Sequence, residues 1–425
     1  MFSKKKKKEK KEKKSLIKKI TDYIFIDEEE YEKKKPVDSK KRFTTFEMFI
    51  IGFLFLMFGV VSGCLITMYT SSVIGTKLDK NSMEFLKTYN SIKENYYDDI
   101  NEETLIDSAI SGMIGSLGDE HSTYMDPSST TDFNNSVEGK YVGVGITIKY
   151  EDNITSIIDI FKDSPADKDG LKVGDVIVEV NGVDVTNKDS YDISSIISGD
   201  VGKVINLVVL RGEEKVNITT KLAEIELDSV YTEIKEENNK KIGYIIISNF
   251  ASNTYKQFNS KLKDLEKEKI DSLIIDVRGN TGGHLSVVTD ILDLFFDKGT
   301  VLYQIQDKKS TVKYKARRDD KRDYPVVVLT NHGSASASEI LAACFKERYS
   351  NATIVGTTTY GKGTVQQTGS LSDGSSYKIT TQKWLTSKGK WINEKGVKPD
   401  VEVELGDNQE VDDQLNEAIK ILSEK

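Results

Sequence analysis

The stretch Thr330–Gln367, TNHGSASASEILAACFKERYSNATIVGTTTYGKGTVQQ, constrains the fold more than any other part of the chain. Just before it, Val326-Val327-Val328-Leu329 is apolar without alternation, the pattern of a strand covered on both faces. The run enters Gly333 and three alternating serines, Ser334, Ser336 and Ser338. A helical pattern follows, with Ile340, Leu341, Ala343 and Cys344 apolar. A second short strand, Thr353 to Val355, leads to Gly361-Lys362-Gly363. A hydroxyl at a strand-to-helix turn is a good place for a nucleophile. The turn exposes the oxygen, and the new helix offers free N–H groups and its positive end to a developing oxyanion.

A serine nucleophile needs a base. The histidines are His121, His284 and His332, which leaves a Ser/His arrangement few candidates. Lys362 is the other option, because a lysine packed between glycines and desolvated loses basicity and becomes a neutral proton acceptor. Gln366, four residues on, can hydrogen-bond the amine and orient it. Taken singly, alternating Ser and Ala is more often a loop, and a GKG turn more often a hairpin tip. Gly356 to Lys362 also fits the phosphate-loop pattern. Position 363 is Gly where a Ser or Thr must reach magnesium, and Thr364 to Thr368 reads as strand, so nucleotide binding is excluded.

Together and in order, GSASASEI and YGKGTVQQ resemble the carboxyl-terminal processing peptidases, or tail-specific proteases, which are serine peptidases with a Ser–Lys dyad. The resemblance implies Ser336 as nucleophile, Lys362 as base and Gln366 as the residue that positions the lysine. The Ser-to-Lys gap is one residue longer than usual in that family, which reads as a loop insertion around Tyr349-Ser350-Asn351. Val277-Arg278-Gly279-Asn280-Thr281-Gly282-Gly283 resembles the family's DLRGNPGG motif, with Thr281 where proline is common. It implies an oxyanion hole built from the Ala337 N–H and one N–H of the glycine pair, with Gly282 preferred. His284 then lines the cleft. Ser111–Pro127 and the segments around Trp384-Leu385 and Trp391–Asp400 resemble further parts of the family, and His121 within the first of these is expected to be structural.

Residues 139–222 resemble a PDZ domain. Ser164-Pro165-Ala166 and Gly170-Leu171-Lys172-Val173-Gly174-Asp175-Val176-Ile177 carry that resemblance. Val142, Gly143, Val144 and Gly145 are similar to the carboxylate-binding loop of such domains, where backbone N–H groups receive a peptide's terminal carboxylate. The likeness to the peptidase family spans about residues 80–425.

Charge is unevenly spread. Residues 1–43 hold 17 Lys/Arg against 9 Asp/Glu, and the remainder holds 43 against 59. The acidic main body argues against nucleic acid as a partner. Met48–Met68 carries no charge and is long enough to span a bilayer, which takes ~20 residues. The lysines before it put the N-terminus in the cytoplasm. A cleaved signal fits less well, since the run is long and lacks a clean small-x-small site. Cys64, within a lipoprotein-like Val61-Ser62-Gly63-Cys64, is followed by further apolar residues, so a retained helix is expected. Cys64 and Cys344 imply no disulfide framework, and no metal or cofactor is expected.

The expected fold is α/β (α+β) and multidomain. It comprises a disordered basic tail over 1–43, a transmembrane helix over 46–69 and a helical segment over 80–128. A PDZ domain over 139–222 and a peptidase core over 225–425 complete it. The expected function is a membrane-anchored serine endopeptidase acting on proteins or peptides with free C-termini, with homo-oligomerisation left open. The alternatives are a PDZ adaptor with an inactive core, and a hydrolase using His332 or His284 as base.

The topology is directly testable. Protease added outside intact cells or spheroplasts should degrade the main body and spare the basic tail. A body protected until the membrane is lysed reverses the orientation.

Overall fold

The computed structural model describes residues 45–74, 79–319, 322–406, 408 and 410–425. The basic tail expected over 1–43 lies outside these residues. The chain divides into two compact units, Met1–Ile100 and Asn101–Lys425.

In the first unit, helix α1 spans Thr45–Ile74. Its stretch Glu47–Leu65 is long and apolar enough to cross a membrane. Phe49, Phe55 and Phe58 are each more than two-thirds exposed, at 74, 75 and 71%. A helix apolar right round its circumference matches a uniformly apolar surround better than a one-sided protein core. Helix α2 (Lys80–Asn95) starts on Asp79, whose Oδ1 accepts the Ser82 N–H at 2.7 Å.

The second unit opens with α3 (Glu102–Gly115), capped by Asn101, whose side chain accepts the Thr104 N–H at 3.1 Å. Strand β1 (Thr123–Met125) and helix α4 (Pro127–Glu138) follow. Gly139 ends α4 at φ +70°, a left-handed terminus that glycine adopts without strain. A two-stranded ribbon then leads into and out of a small β module. Its strands are β2 (Lys140–Gly143) and β9 (Ala223–Glu226), paired antiparallel.

The module's sheet comprises β3 (Ile146–Glu151), β4 (Ile154–Ile160), β5 (Val176–Val180), β6 (Val183–Asp184), β7 (Val204–Arg211) and β8 (Glu214–Lys221). They run in the order β3-β4-β5-β7-β8, with β6 on β5. Helices α5 (Pro165–Lys168) and α6 (Ser190–Ile197) accompany the sheet. The module has its own core, built on Ile157, Ile177, Ile193, Ile205 and Leu207. Buried Asp175 is gripped from both sides by Arg211, with Nε and Nη2 each at 2.8 Å. That pair holds the Asp175 carboxyl below the ordinary aspartate range, against the opposing effect of burial.

The larger core is a six-stranded sheet: β10 (Val230–Glu237), β11 (Lys240–Ile247), β12 (Ser272–Asp276), β15 (Val326–Thr330), β16 (Ala352–Gly356) and β19 (Val401–Glu402). All neighbours pair in parallel except β10 with β11. Helices α7 (Thr254–Lys267), α8 (Leu285–Leu292) and α9 (Ala337–Arg348) contribute Phe258, Ile291 and Phe345 to a core with Val326 and Val328. Val327 and Leu329 face a separate cluster with Ala418 and Leu422 of helix α10 (Asp413–Glu424). Both faces of β15 are thus covered, which is why its sequence shows no alternation.

A second, antiparallel sheet joins β13 (Val301–Gln306), β14 (Thr311–Lys315), β17 (Thr364–Ser370) and the long β18 (Ser376–Thr386) to β1. Its β17/β18 pairs include Gln366 with Thr380 and Thr368 with Lys378.

Candidate active site

The candidate residues follow the carboxyl ends of adjacent parallel strands. The loop Val277–Gly283 follows β12, Ser336 follows β15, and Lys362 lies beyond β16. In open α/β sheets ligands gather at that edge. Here it opens on a cleft of about 830 Å³ lined by Ser336, Lys362, Gln366, Gly282, His284 and Lys378, among others.

The three serines have separate fates. Ser334 is buried, and its Oγ donates to the Val277 carbonyl at 2.8 Å. Ser338 is buried, and its Oγ donates to the Asn280 carbonyl at 2.8 Å. Both stitch the serine turn to the loop after β12. Ser336 alone of the three lines the cleft. Its backbone has φ 54°, ψ −110°, a region that costs a non-glycine residue about 1–3 kcal/mol and persists only when its surroundings enforce it.

Glu339 supplies that enforcement. It is fully buried in the first turn of α9. Its Oε2 accepts the N–H of Ser336 at 2.8 Å and of Lys362 at 2.9 Å. Its Oε1 accepts the N–H of Gly361 at 2.7 Å and the Thr359 hydroxyl at 2.6 Å. Burial pushes its carboxyl pKa up, and the four donors pull the other way by stabilising the anion.

The lysine loop is held from the opposite side by two indoles. Trp384 Nε1 donates to the Lys362 carbonyl at 2.7 Å and Trp391 Nε1 to the Gly363 carbonyl at 2.9 Å. A Cβ on Gly363 would stand 2.6 Å from Trp391 Nε1, so this position requires glycine. Burial holds the Lys362 amine below the ordinary lysine range, and the charge of Lys378 adds to this, against Asp119, Glu120 and Glu339.

Gln366 lines the same cleft, but its Nε2 donates to Thr364 Oγ1 at 2.9 Å and Thr380 Oγ1 at 3.0 Å rather than meeting the lysine. Gly282 packs so closely that a Cβ would lie 2.8 Å from the Ser336 Cβ. The Gly282 N–H, preferred from the sequence as an oxyanion donor, donates to Asn280 Oδ1 at 2.8 Å. Among the described residues nothing accepts from the N–H of Gly283 or of Ala337.

The three histidines stand in different surroundings, and His284 lines the cleft as expected. His284 Nε2 lies 3.2 Å from the Ser252 hydroxyl, and His332 is exposed with its ring on Tyr360 at 5.6 Å. His121, read as structural, has its ring 6.3 Å from that of Tyr360, and burial and the Lys362 charge lower its pKa. Its segment reaches the site through Ser122, whose Oγ accepts the Thr380 N–H at 3.0 Å and donates to Asp119 at 2.5 Å. Nothing local in the sequence signals this contact, which links residues 258 positions apart. The sequence shows Glu339 only as a helix-start glutamate, and its contacts with the lysine loop come from the fold. A carboxylate three residues after the candidate nucleophile, at a buried helix start, was the available signal.

In the β module, Val144 is buried and its carbonyl accepts the Ala166 N–H at 2.9 Å. Gly145, at φ +87°, accepts the Phe161 N–H at 3.0 Å. Among the described residues, the N–H groups of Val144 and Gly145 have no acceptor. Val142 and Gly143 belong to β2 and pair with Glu224 and Ala223. Strand β3 lies at the edge of its sheet.

Comparison with known proteins gives the class: an α/β serine-type endopeptidase carrying a PDZ domain. The sequence profile of Peptidase family S41 matches residues 241–403, that of the PDZ domain residues 157–211, and that of the activating protease CtpB N-terminal domain residues 68–129. The carboxy-terminal processing protease CtpB of Bacillus subtilis is 38% identical over 332 residues, covering 77% of this chain and 69% of that protein. The carboxy-terminal processing protease CtpA of the same organism is 37% identical over 363 residues, covering 84% and 77%. The solved photosystem II D1 C-terminal processing protease is 26% identical with a TM-score of 0.46, covering 80% of this chain and 96% of its own. The chain belongs to the carboxy-terminal processing protease family.

Replacing Glu339 with Gln leaves one acceptor oxygen where two now serve four donors. The variant should fold, as judged by circular dichroism, and lose about 10²-fold in kcat/KM through misplacement of serine and lysine. Losing that negative charge should also lower the Lys362 pKa further and move the acid limb of the pH–rate profile to lower pH. An unchanged kcat/KM and limb remove Glu339 from this role.

Proposed function

We propose that the protein is a membrane-anchored endopeptidase that takes hold of protein C-termini through its PDZ domain and cleaves through a Ser336–Lys362 dyad. The observation that carries this reading is the shared cleft of Ser336 and Lys362, with both backbones tied to one buried carboxylate. Ser336 Oγ attacks the scissile carbonyl carbon, and the neutral Lys362 amine takes its proton. The Ala337 N–H and one N–H of the Gly282–Gly283 pair hold the oxyanion. The engagement of Gly282 with Asn280 favours Gly283 as that donor. As the C–N bond breaks, Lys362 returns the proton to the leaving amine. A water then attacks the acyl-enzyme, again with Lys362 as base, and releases the acid. Gln366 retains its side-chain oxygen for the amine while its Nε2 is held by two threonines.

Peptide capture follows the same economy of backbone donors. The open edge of β3 allows a substrate tail to add as a strand, and the N–H groups of Val144 and Gly145 suit its terminal carboxylate, with Val142 and Gly143 shaping the approach. Helix α1 anchors the protein in the cell membrane as a single span, with the basic tail cytoplasmic and the catalytic part outside.

Peptide cleavage by point variants separates the bases. Ser336→Ala, Lys362→Ala and Lys362→Arg should each lose about 10⁴-fold or more in kcat/KM, the last because a guanidinium cannot accept the serine proton. His284→Ala and His332→Ala should retain substantial activity. Wild-type kcat/KM should climb with pH as Lys362 deprotonates, below the ordinary lysine range. Activity that survives Lys362→Ala and vanishes in a histidine variant moves the base to that histidine.

The PDZ reading has its own test. A Cβ at position 143 would stand 2.4 Å from the Tyr141 ring. Gly143→Val should therefore distort the loop and weaken cleavage of substrates with free C-termini more than of amidated ones. Equal loss for both means the loop does not read the carboxylate.

A further inference from the structure

Lys378 stands in the cleft wall without a counter-charge among the described residues. It lies on β18, half-buried, and lines the same cleft as Ser336, Lys362 and Gln366. Its ammonium sits over the Phe133 ring of α4, 5.4 Å from the centroid. Among the described residues no carboxylate pairs with it. Other partly buried lysines of the same unit are treated differently. Lys235 meets Glu233, Lys261 meets Asp228 and Lys346 meets Asp400. An unpaired, partly desolvated cation beside the reacting groups invites an anionic partner from the substrate.

We propose that Lys378 is a specificity-determining residue that binds a carboxylate side chain of the substrate, a Glu or Asp close to the scissile bond. The proposal rests on the peptidase reading of this cleft. The strand register locates the subsite. Thr368 pairs with Lys378, and Gln366 pairs with Thr380. Lys378 therefore lies one same-face pair beyond Gln366, about 7 Å along the strand at ~3.4 Å per residue. An extended substrate following the cleft meets it roughly two residues from where it passes Gln366, within the cleft that also holds Ser336. The Phe133 face keeps the ammonium over an aromatic surface, so an incoming carboxylate finds it partly desolvated and already positioned.

The subsite also acts on the base. The charged groups facing Lys362 are Lys378 on β18, Asp119, Glu120 and His121 on the segment before β1, and Glu339 on α9. Lys378 disfavours the protonated form of Lys362. A substrate carboxylate docked on Lys378 cancels that repulsion, so the pKa of Lys362 should rise in the complex. The acid limb of kcat, which reports the complex, should then lie at higher pH for a Glu substrate than for its Gln counterpart. The limb of kcat/KM, which reports free enzyme, should be common to both.

The test uses the full-length protein in detergent and a peptide series with Glu or Gln at each of the three positions on either side of the cleaved bond. One set is C-terminally amidated and one has a free acid. Wild type should prefer Glu over Gln at one position by roughly three- to tenfold in kcat/KM. The preference should persist in the amidated set, fall to near unity in Lys378→Met and largely return in Lys378→Arg. In Lys378→Met, loss of the like charge should raise the Lys362 pKa and move the acid limb of kcat/KM to higher pH. Equal rates for Glu and Gln at every position in wild type overturn the proposal without any variant. A preference that survives in Lys378→Met assigns it to another cation and overturns it too, as does a carboxylate effect confined to the free-acid set, which belongs to the peptide terminus. Failure of the dyad shows up elsewhere, as activity retained in Lys362→Ala.

Discussion

The Glu339 carboxylate is the interaction on which the placing of Ser336 and Lys362 in one cleft depends. Serine and lysine arrive from opposite ends of a helix–strand excursion, and no covalent geometry holds them together. One buried anion does so by accepting the N–H groups of Ser336, Gly361 and Lys362 and the Thr359 hydroxyl. An isolated buried carboxylate is costly, and four well-directed donors are what make it tolerable. The same bonds hold Ser336 at its positive φ, so backbone strain at the serine is offset within the site itself.

A second set of contacts brings the glycine loop to the serine. Ser334 and Ser338 donate to carbonyls of Val277 and Asn280, and the Ala335 N–H donates to Asn280 at 3.0 Å. Asn280 in turn reaches the Ile247 carbonyl at 2.7 Å and the Gly282 N–H. Just upstream, Arg278 bridges Asp276 at the end of β12 and Asp412 at the start of α10, with Nη2 at 2.7 and 2.8 Å. Those partners hold the guanidinium well above its ordinary pKa despite burial. The carboxyl-terminal helix is thereby tied to the strand from which the glycine loop departs, and a cleft built on loops acquires the rigidity of the sheet beneath it.

The third wall is the antiparallel sheet. Gln366, Thr380 and Lys378 share one face of β17 and β18, and the segment Asp119–Ser122 is anchored to β18 through Ser122. The charge around Lys362 is therefore assembled from three directions: a helix start, a strand face and a distant loop. Its basicity belongs to that assembly, with burial as the leading effect and neighbouring charges as corrections of either sign.

The sequence alone determined the α/β class, the two-faced burial of β15, the apolar helix near the N-terminus and the serine and lysine motifs. Each of these is written in local periodicity or in contiguous residues whose chemistry is specific. Tertiary structure decided what depends on juxtaposition. It separated Ser336, open to the cleft, from Ser334 and Ser338, which are consumed in buried hydrogen bonds. It engaged the Gly282 N–H with Asn280, while that of Gly283 has no acceptor among the described residues. It brought His121 beside Tyr360 and Lys378 into the cleft, and it gave Glu339 its four donors. Such roles turn on which donor meets which acceptor, and on which charge stays unpaired, between residues far apart in the chain. Periodicity and local spacing carry no information about those pairings, because the chain must close before they exist.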